Sequence, residues 1–488
     1  MSLPDAAAGP PARESRWWKA ALALFLAGYF LYFNWGSLRV HFALDDLSNI
    51  RYYFDMPPAQ AVLANLLPWR GDFRPLGALF YLPVYRFAGL NPAPYQAVLL
   101  AILLANVYFA WRLVRLLGGG ELAAALVALV CCYHAGVANL YYNAAFVYDA
   151  MCCCLYLAAL GFYFGIRNRG RQPGSGQTVV FLALLLAALN AKEMAVSIPA
   201  TMLVYEWLYH PPEKKDFRSL ARWLTGPART IWYAGVLTLL DIYGKVAGPG
   251  ALINSYGYRP VLSLERLRQF EVALFQDLFV SWTWTPGWVP IVGLYVVMAY
   301  LAFRPGGRPI LRFLFWYLLI VPLPLEFLPG KREACFVLLM VGGAAFAAVV
   351  FVDFVNATAR FLVREFQLPV RPGVLVAVMT LAVAFPWVRE QRDLHRGIGG
   401  FPMTSLGWES WDIIQQMRAS SFHPPPASSV AFLDDPFQTL DMYTLARLWF
   451  HDRSVNIRGV NRVPVTPEEL ARMDFVFRFE GRKLIQTK

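Results

Sequence analysis

Two adjacent aspartates, Asp45 and Asp46, stand in the aromatic stretch HFALDDLSNIRYY, directly after the first long apolar run. Close carboxylates repel and raise one another's pKa, and a carboxylate poised near neutrality can take a proton from a hydroxyl. The same oxygens suit a hard divalent cation such as Mg or Mn, with Asp45 or Asp46 as its ligand. A hydrated loop, or a helix N-cap followed by a first-turn acid, explains the pair without any chemistry. Cations recur in comparable settings. Lys192, beside Glu193 in LNAKEMAVSIP, offers a compact positive charge that suits a phosphate, although a polar hairpin tip explains it too. Arg332 in FLPGKREACF has Lys331 next to it and can grip a phosphate with two parallel hydrogen bonds. Arg74 in FRPLG and Arg259 in YGYRP are further cations of the same kind.

Asp149, Asp241, Lys245, Glu326 and Glu333 also lie in or against apolar runs, where ionisable groups are costly and mark function by default. For Asp149, Asp241 and Glu326, packing of a polar group against a neighbouring helix is the preferred reading. The pair Asp434–Asp435 in FLDDPF reads as a turn before Pro436. Asn356 opens a glycosylation sequon, but its loop falls on the inner side and the motif is set aside. The six cysteines lack metal or redox spacing and read as packing residues.

The elements that must position these groups are membrane helices. The chain has 488 residues, 58% hydrophobic and only 16% charged, whereas soluble domains carry about 25% charged residues. Many runs approach the roughly 20 apolar residues needed to cross a bilayer. The net charge of +12 comes from Lys and Arg in short loops, as the positive-inside rule expects, and needs no nucleic-acid partner. RESRWWKA precedes the first run, which reads as an uncleaved anchor with a cytoplasmic N-terminus.

About eleven spans are expected: Trp18–Trp35, Ala93–Leu113, Leu122–Val137, Tyr142–Ile166, Thr178–Leu189, Met194–Leu208, Thr230–Val246, Trp288–Phe303, Ile310–Phe327, Cys335–Val355 and Val374–Val388. A long first outer loop covers 36–92, and its apolar middle, LGALFYLPVYRFAG, reads as a re-entrant or surface helix. SLERLRQFEVALFQDLFVSW reads as an interfacial helix. With that parity the basic loops fall inside, and the Asp45 loop, the Lys192 and Lys331 turns and the C-terminus share the outer face. The fold class is thus a polytopic α-helical membrane protein, 1–388, with a small extracytoplasmic α/β domain, 389–488. In that domain VAFLDD, YTLARLWF and SVNIRGV read as strand, helix and strand, and DFVFRFEGRKLIQ as a hairpin.

These pieces resemble the GT-C superfamily of polytopic glycosyltransferases, and most closely its O-mannosyltransferase type that often carries TPR repeats. The residues that carry the likeness are the acidic pair of FALDDLSNI, the segment FRPLGALFYLPVYRFAGLNPAPY, the lysine–glutamate turn of LNAKEMAVSIPATMLVYEW, and FLPGKREACFVLLMVGG. Together they cover roughly Trp17 to Val388. The chain departs from the pattern at Gln96, where a histidine is usual, at Phe336, where the late aromatic is displaced, and in lacking a TPR array. The resemblance implies a polyprenyl-phosphate-linked sugar donor, used in the bilayer of a bacterial inner membrane on its outer face, with a glycan or protein acceptor. It implies inverting displacement, with Asp45 or Asp46 as base and Asp46 preferred. Lys192, Arg332, Lys331 and Arg74 would bind the donor phosphate, with Glu193 and Arg259 in support. The rival reading is a transporter or flippase of a lipid-linked glycan, against which the absence of paired repeats argues.

Overall fold

The computed structural model describes residues 16–226, 228–255, 257–279, 287–398, 402–420, 422–436, 441–460 and 465–488. After α1 (Arg16–Asn34), the first outer loop folds into α2 (Leu44–Asp55), α3 (Pro58–Leu66) and α4 (Gly77–Ala88). The expected re-entrant segment is α4, a helix that keeps Pro83 inside it. Then come α5 (Pro92–Leu116), α6 (Glu121–Cys132), the short α7 (Asn139–Tyr142), α8 (Val147–Arg167), α9 (Ser175–Ala191) and α10 (Ile198–Tyr209). The basic loop after α10 contains α11 (Phe217–Thr225), and α12 (Arg229–Ala247) follows it. The second half holds α13 (Leu264–Phe279), α14 (Trp288–Phe303), α15 (Pro309–Ile320), α16 (Leu323–Glu326), α17 (Val337–Glu365) and α18 (Pro372–Ile398).

Among the described residues, seven helices are long and apolar enough to cross a membrane, and α6, α9 and α14 are shorter apolar helices. This is an integral, multi-pass membrane protein. Every expected span is helical, but several stop early at the end that faces the first loop. The third was expected to reach Val137; instead α6 ends at Cys132, Tyr133 and His134 are extended, and a 3₁₀ turn covers Ala135–Val137. Similar turns, Ala144–Phe146, Glu193–Ser197 and Glu333–Phe336, precede α8, α10 and α17. Irregular backbone at membrane depth is tolerated where protein buries it; the Ala135–Val137 and Glu333–Phe336 turns contact each other and α13, Ala144–Phe146 packs against α2, α7 and α8, and Glu193–Ser197 against α9 and α16. The loop expected after the tenth span is still helix, since α17 runs to Glu365 and includes Asn356.

The chain ends in α19 (Pro402–Ser420), β1 (Ser429–Leu433), α20 (Met442–Phe450), β2 (Asn456–Arg458), α21 (Pro467–Ala471), β3 (Phe475–Glu480) and β4 (Lys483–Gln486). Strand order is β2-β1-β3-β4, parallel except for the β3–β4 hairpin. Gly481, at φ +61°, supplies the hairpin's left-handed position. The sheet unit docks on the first loop. Tyr85 of α4 donates to the Leu448 carbonyl at 2.5 Å, Arg453 donates to the Phe54 carbonyl, and Arg447 lies 3.4 Å from Asp55.

Loop 68–71 lies against α12 backbone to backbone. A Cβ on Gly244 would sit 2.3 Å from the Pro68 carbonyl oxygen, and one on Gly71, at φ +73°, 2.0 Å from that of Gly244. Gly244→Ala should therefore lower the thermal unfolding midpoint in detergent, as overpacking costs about 1–3 kcal/mol. Gly235→Ala on the same helix, with nothing within 4 Å of the added carbon, should leave it unchanged.

Candidate active site

The first-loop pair separates on folding. Asp45 and Asp46 are consecutive residues in the first turn of α2, so their side chains diverge by about 100°. Asp46 is 2% exposed, and its Oδ2 accepts the Ala43 N–H at 2.8 Å, locking the start of its own helix. Its second oxygen is buried without a hydrogen-bond partner. Burial, with the neighbouring Asp45 charge adding to it, pushes the Asp46 carboxyl up to about 7. Asp45 is exposed. One and two turns further along α2 lie Asn49 and Tyr52; Asn49 donates to the Tyr81 hydroxyl at 3.3 Å, and the Tyr52 ring meets Phe73 edge-on at 6.0 Å. Asp45 thus lies on the helix face that leads to Phe73, about 10 Å along the axis from Tyr52.

Phe73 brings Arg74 with it. Arg74 has φ +41°, a region that residues with a Cβ rarely enter and that clusters at functional sites. Its carbonyl accepts the Tyr53 hydroxyl at 2.8 Å, and Tyr53 and Tyr148 share a hydrogen bond of 3.0 Å. The guanidinium lies over the rings of Phe73, Tyr148 and Tyr258, donates to the Tyr258 hydroxyl at 2.5 Å, and stands 3.5 Å from Glu193. Burial pushes the Glu193 carboxyl up, but Arg74 and Lys192 outweigh it and hold the group down at about 2. Arg74 Nε and both Glu193 carboxylate oxygens are buried without hydrogen-bond partners. The pair is close but not saturated.

Lys192 follows the end of α9 and is 3% exposed. Its ammonium donates to the Asp149 carboxylate, in the first turn of α8, and to Cys335 Sγ at 3.2 Å. Lys331 completes the group, its ammonium 3.8 Å from the centre of the Tyr258 ring. Like Lys245, whose charge also acts on Glu193 and whose ammonium donates to the Asp72 carbonyl at 3.0 Å, it has no carboxylate ion-pair partner among the described residues. Burial and the nearby Arg74 hold its pKa below the ordinary lysine value.

Arg332, one residue on, turns the other way. It is 51% exposed and pairs with Asp277 of α13 at 2.7 Å, while the Glu333 N–H donates to the same carboxylate. Arg259 is exposed. Of the cations singled out in the sequence, Arg74, Lys192, Lys331 and Lys245 come together around Glu193. Arg332 does not. Sequence reasoning singled out Asp149 but preferred to read it as helix packing, and it passed over Tyr148 and Tyr258. The position of Asp149 in VYDAMCCC, at the start of an apolar run, was the available signal, whereas nothing local distinguishes the tyrosines.

The aspartate pair does not form a cation cradle. One carboxylate is exposed, the other is committed to its helix start, and no three His, Cys, Asp or Glu side chains among the described residues converge on one point.

An apolar cavity of about 690 Å³ lies between α6, α13, α14, α17 and α18. Leu274 and Leu278, on either side of Asp277, line one end, and exposed Phe354 and Val383 line the other. The cavity therefore begins beside the 331–332 turn and opens onto the lipid-facing surface.

No protein-family profile matches the chain, and no curated protein matches it by sequence. Solved structures do match by fold. ArnT from Cupriavidus metallidurans, bound to undecaprenyl phosphate, aligns with a TM-score of 0.51 at 14% identity, over 91% of this chain and 86% of that one. The oligosaccharyltransferase of Archaeoglobus fulgidus, tethered with an acceptor peptide, aligns with a TM-score of 0.50 at 11% identity, over 92% of this chain and 65% of that one. The chain has the GT-C membrane fold.

The Asp46 environment has a signed consequence. Its folded pKa of about 7 exceeds the ordinary 3.8, so the buried neutral form contributes stability below about pH 4 that is lost as pH rises through 7. Asp46→Asn keeps an acceptor for the Ala43 N–H and removes the titration. Its melting temperature relative to wild type should rise steadily from pH 4.5 to 7 and level off above.

Proposed function

We propose that this protein transfers a sugar from a polyprenyl-phosphate carrier to an acceptor hydroxyl, at the membrane face that carries Asp45. The observation that carries this reading is Lys331, which shares the Tyr258 ring with Arg74 and has no carboxylate ion-pair partner among the described residues. The donor is an amphiphile with an anionic head, and an apolar cavity large enough for isoprenoid units is lined by Leu274 and Leu278, on either side of the Asp277 that pairs with the next residue, Arg332. The GT-C fold supports the reading, since the ArnT relative binds undecaprenyl phosphate and the oligosaccharyltransferase holds an acceptor peptide.

In the proposed reaction the acceptor oxygen attacks the anomeric carbon from the face opposite the phosphate. The C–O bond to phosphate breaks, its electron pair leaves with the phosphate oxygen, and the configuration inverts. Asp45 takes the acceptor's proton, because it is the accessible carboxylate of the pair and lies on the α2 face that leads to Phe73 and Arg74. Asp46 holds the start of the helix that presents it. Lys331 and Arg74 meet the charge that develops on the departing polyprenyl phosphate. Lys192, paired with Asp149, holds the turn rather than the donor, and of the expected phosphate ligands Arg332 and Lys331, Lys331 keeps that role. No step requires a metal.

The basic loops at the opposite end of the bundle favour a cytoplasmic N-terminus and an extracytoplasmic site and C-terminal domain, residues 389–488. A bacterial inner membrane is the setting that fits. The acceptor is a hydroxyl-bearing glycan or peptide, and the sugar a hexose or pentose.

The test is release of polyprenyl phosphate from a synthetic polyprenyl-phosphate sugar by the purified protein. Asp45→Asn should lower turnover by about 10²- to 10⁴-fold with an unchanged melting temperature, whereas Asp46→Asn should stay active. Movement of intact lipid-linked sugar across a vesicle membrane without cleavage would instead establish a flippase. Lys331→Ala should raise the donor KM and lower kcat together, by about tenfold or more in their ratio, while Arg332→Ala should cost less than threefold. The reverse ranking of the last two variants would overturn the assignment of the phosphate site.

A further inference from the structure

The opposite end of the bundle contains a second, polar cavity of about 550 Å³, lined by Arg304, Gly307, Arg308, Asp353, Asn356 and Arg360 among others. Its distance from the Asp45 side follows from the topology. α15 and α16 lead from Arg308 to the Lys331 turn, and α17 leads back from Val337. Asp353, Asn356 and Arg360 therefore lie about 25–35 Å along α17 from its start, close to the thickness of a hydrocarbon core. They recur at i, i+3 and i+7 and so share one helix face.

The charges of this cavity do not cancel. Arg308 pairs with Asp353 at 2.7 Å and also donates to the Gly118 carbonyl. Arg304 and Arg360 are exposed, and neither has a carboxylate partner among the described residues. Three guanidinium groups therefore face one carboxylate, leaving two positive charges and an amide around a space that holds more than one water. Guanidinium groups lining one cavity suit phosphate oxygens, which they can grip in bidentate fashion. The flanks are apolar. Phe303 precedes Arg304, Phe354 follows Asp353, and Phe361 follows Arg360, and all three rings are exposed. A soluble anion has no use for those rings, whereas a lipid would lay its hydrocarbon over them with its phosphate in the basic cavity.

We propose that this cavity is a binding site for the phosphate headgroup of an anionic phospholipid at the membrane face opposite Asp45. The phosphate cavity shares no lining residue with the apolar cavity of the proposed donor site, although Phe354 borders both, and it does not depend on the transfer reaction. Occupancy would tie the loops after α5 and α14 to the middle of α17, since Arg308 already bridges Gly118 to Asp353.

The full-length protein in nanodiscs supplies the test, using native mass spectrometry and thermal unfolding with phosphatidylglycerol, phosphatidylcholine or, in detergent, inorganic phosphate as probes. Wild type should retain phosphatidylglycerol in preference to phosphatidylcholine. The double variant R304Q/R360Q should retain it about 30-fold less strongly, as expected for the loss of two surface cations. Phosphatidylglycerol should raise the melting temperature of wild type and not of the variant, and the variant's own melting temperature in phosphatidylcholine reports whether it is folded. A folded variant that still prefers phosphatidylglycerol would overturn the proposal. So would equal stabilisation of wild type by inorganic phosphate, which would make this a soluble-anion site. If R304Q/R360Q does not fold, R360Q alone carries the test, with retention equal to wild type overturning the proposal.

Discussion

A lysine ammonium that is almost wholly enclosed by protein demands an anion, and the rest of this fold is arranged around meeting that demand. Lys192 finds Asp149, and the contact ties the turn between α9 and α10 to the first turn of α8. Cys335 on the same ammonium adds the turn that opens α17. Arg74 reaches Glu193 from the first loop, so a fourth strand of chain joins. Breaking one partner of such a buried pair costs about 3–5 kcal/mol, because the other is left charged and dry. Four distant parts of the sequence are thereby held at one point, and none can move alone.

That arrangement explains why the helices stop short at this end. Four 3₁₀ turns replace helical backbone at this end: two open on Glu193 and Glu333, and the other two are capped by the side chains of His134 and Asn143. The left-handed backbone at Arg74 and Glu333 belongs to the same economy of space, since both residues sit where the chain must reverse to reach the cluster. Tyrosines make up much of the surrounding wall. Tyr53, Tyr148 and Tyr258 stack or hydrogen-bond around Arg74, so the cation is caged by rings rather than neutralised by more carboxylates. The cluster keeps a positive bias through Lys331, the feature on which the proposed donor site rests.

The two membrane faces carry opposite solutions to the same problem of placing charge at an interface. On the Asp45 side Arg74 and Lys192 are enclosed by protein, and aromatic rings frame Arg74. On the other side Arg304 and Arg360 are exposed, and apolar rings flank them. The sheet unit adds a third layer only on the Asp45 side. Tyr85, Phe54 and Asp55 receive it, so the helix that carries the aspartate pair is held from both directions.

Composition and periodicity alone determined the membrane class, the apolar segments, the strand–helix–strand tail and its hairpin, because each depends on the order of apolar and polar residues along a few turns. Loop charge and parity also brought the Asp45, Lys192 and Lys331 turns to one end, as the contacts of Arg74, Glu193 and Lys331 show for the cation group. What parity leaves open is direction. Lys331 and Arg332 are neighbours of like charge, and so are Asp45 and Asp46 in their own way; no pattern in the string says which of each pair turns inward. Asp277 of α13, 55 residues earlier, decides the first by drawing Arg332 away, and only the packed chain brings that partner within hydrogen-bond reach. Helix α2 decides the second by giving Asp46 to its own N-terminus through Ala43, a local contact, while the burial of Asp46 comes from the packed fold.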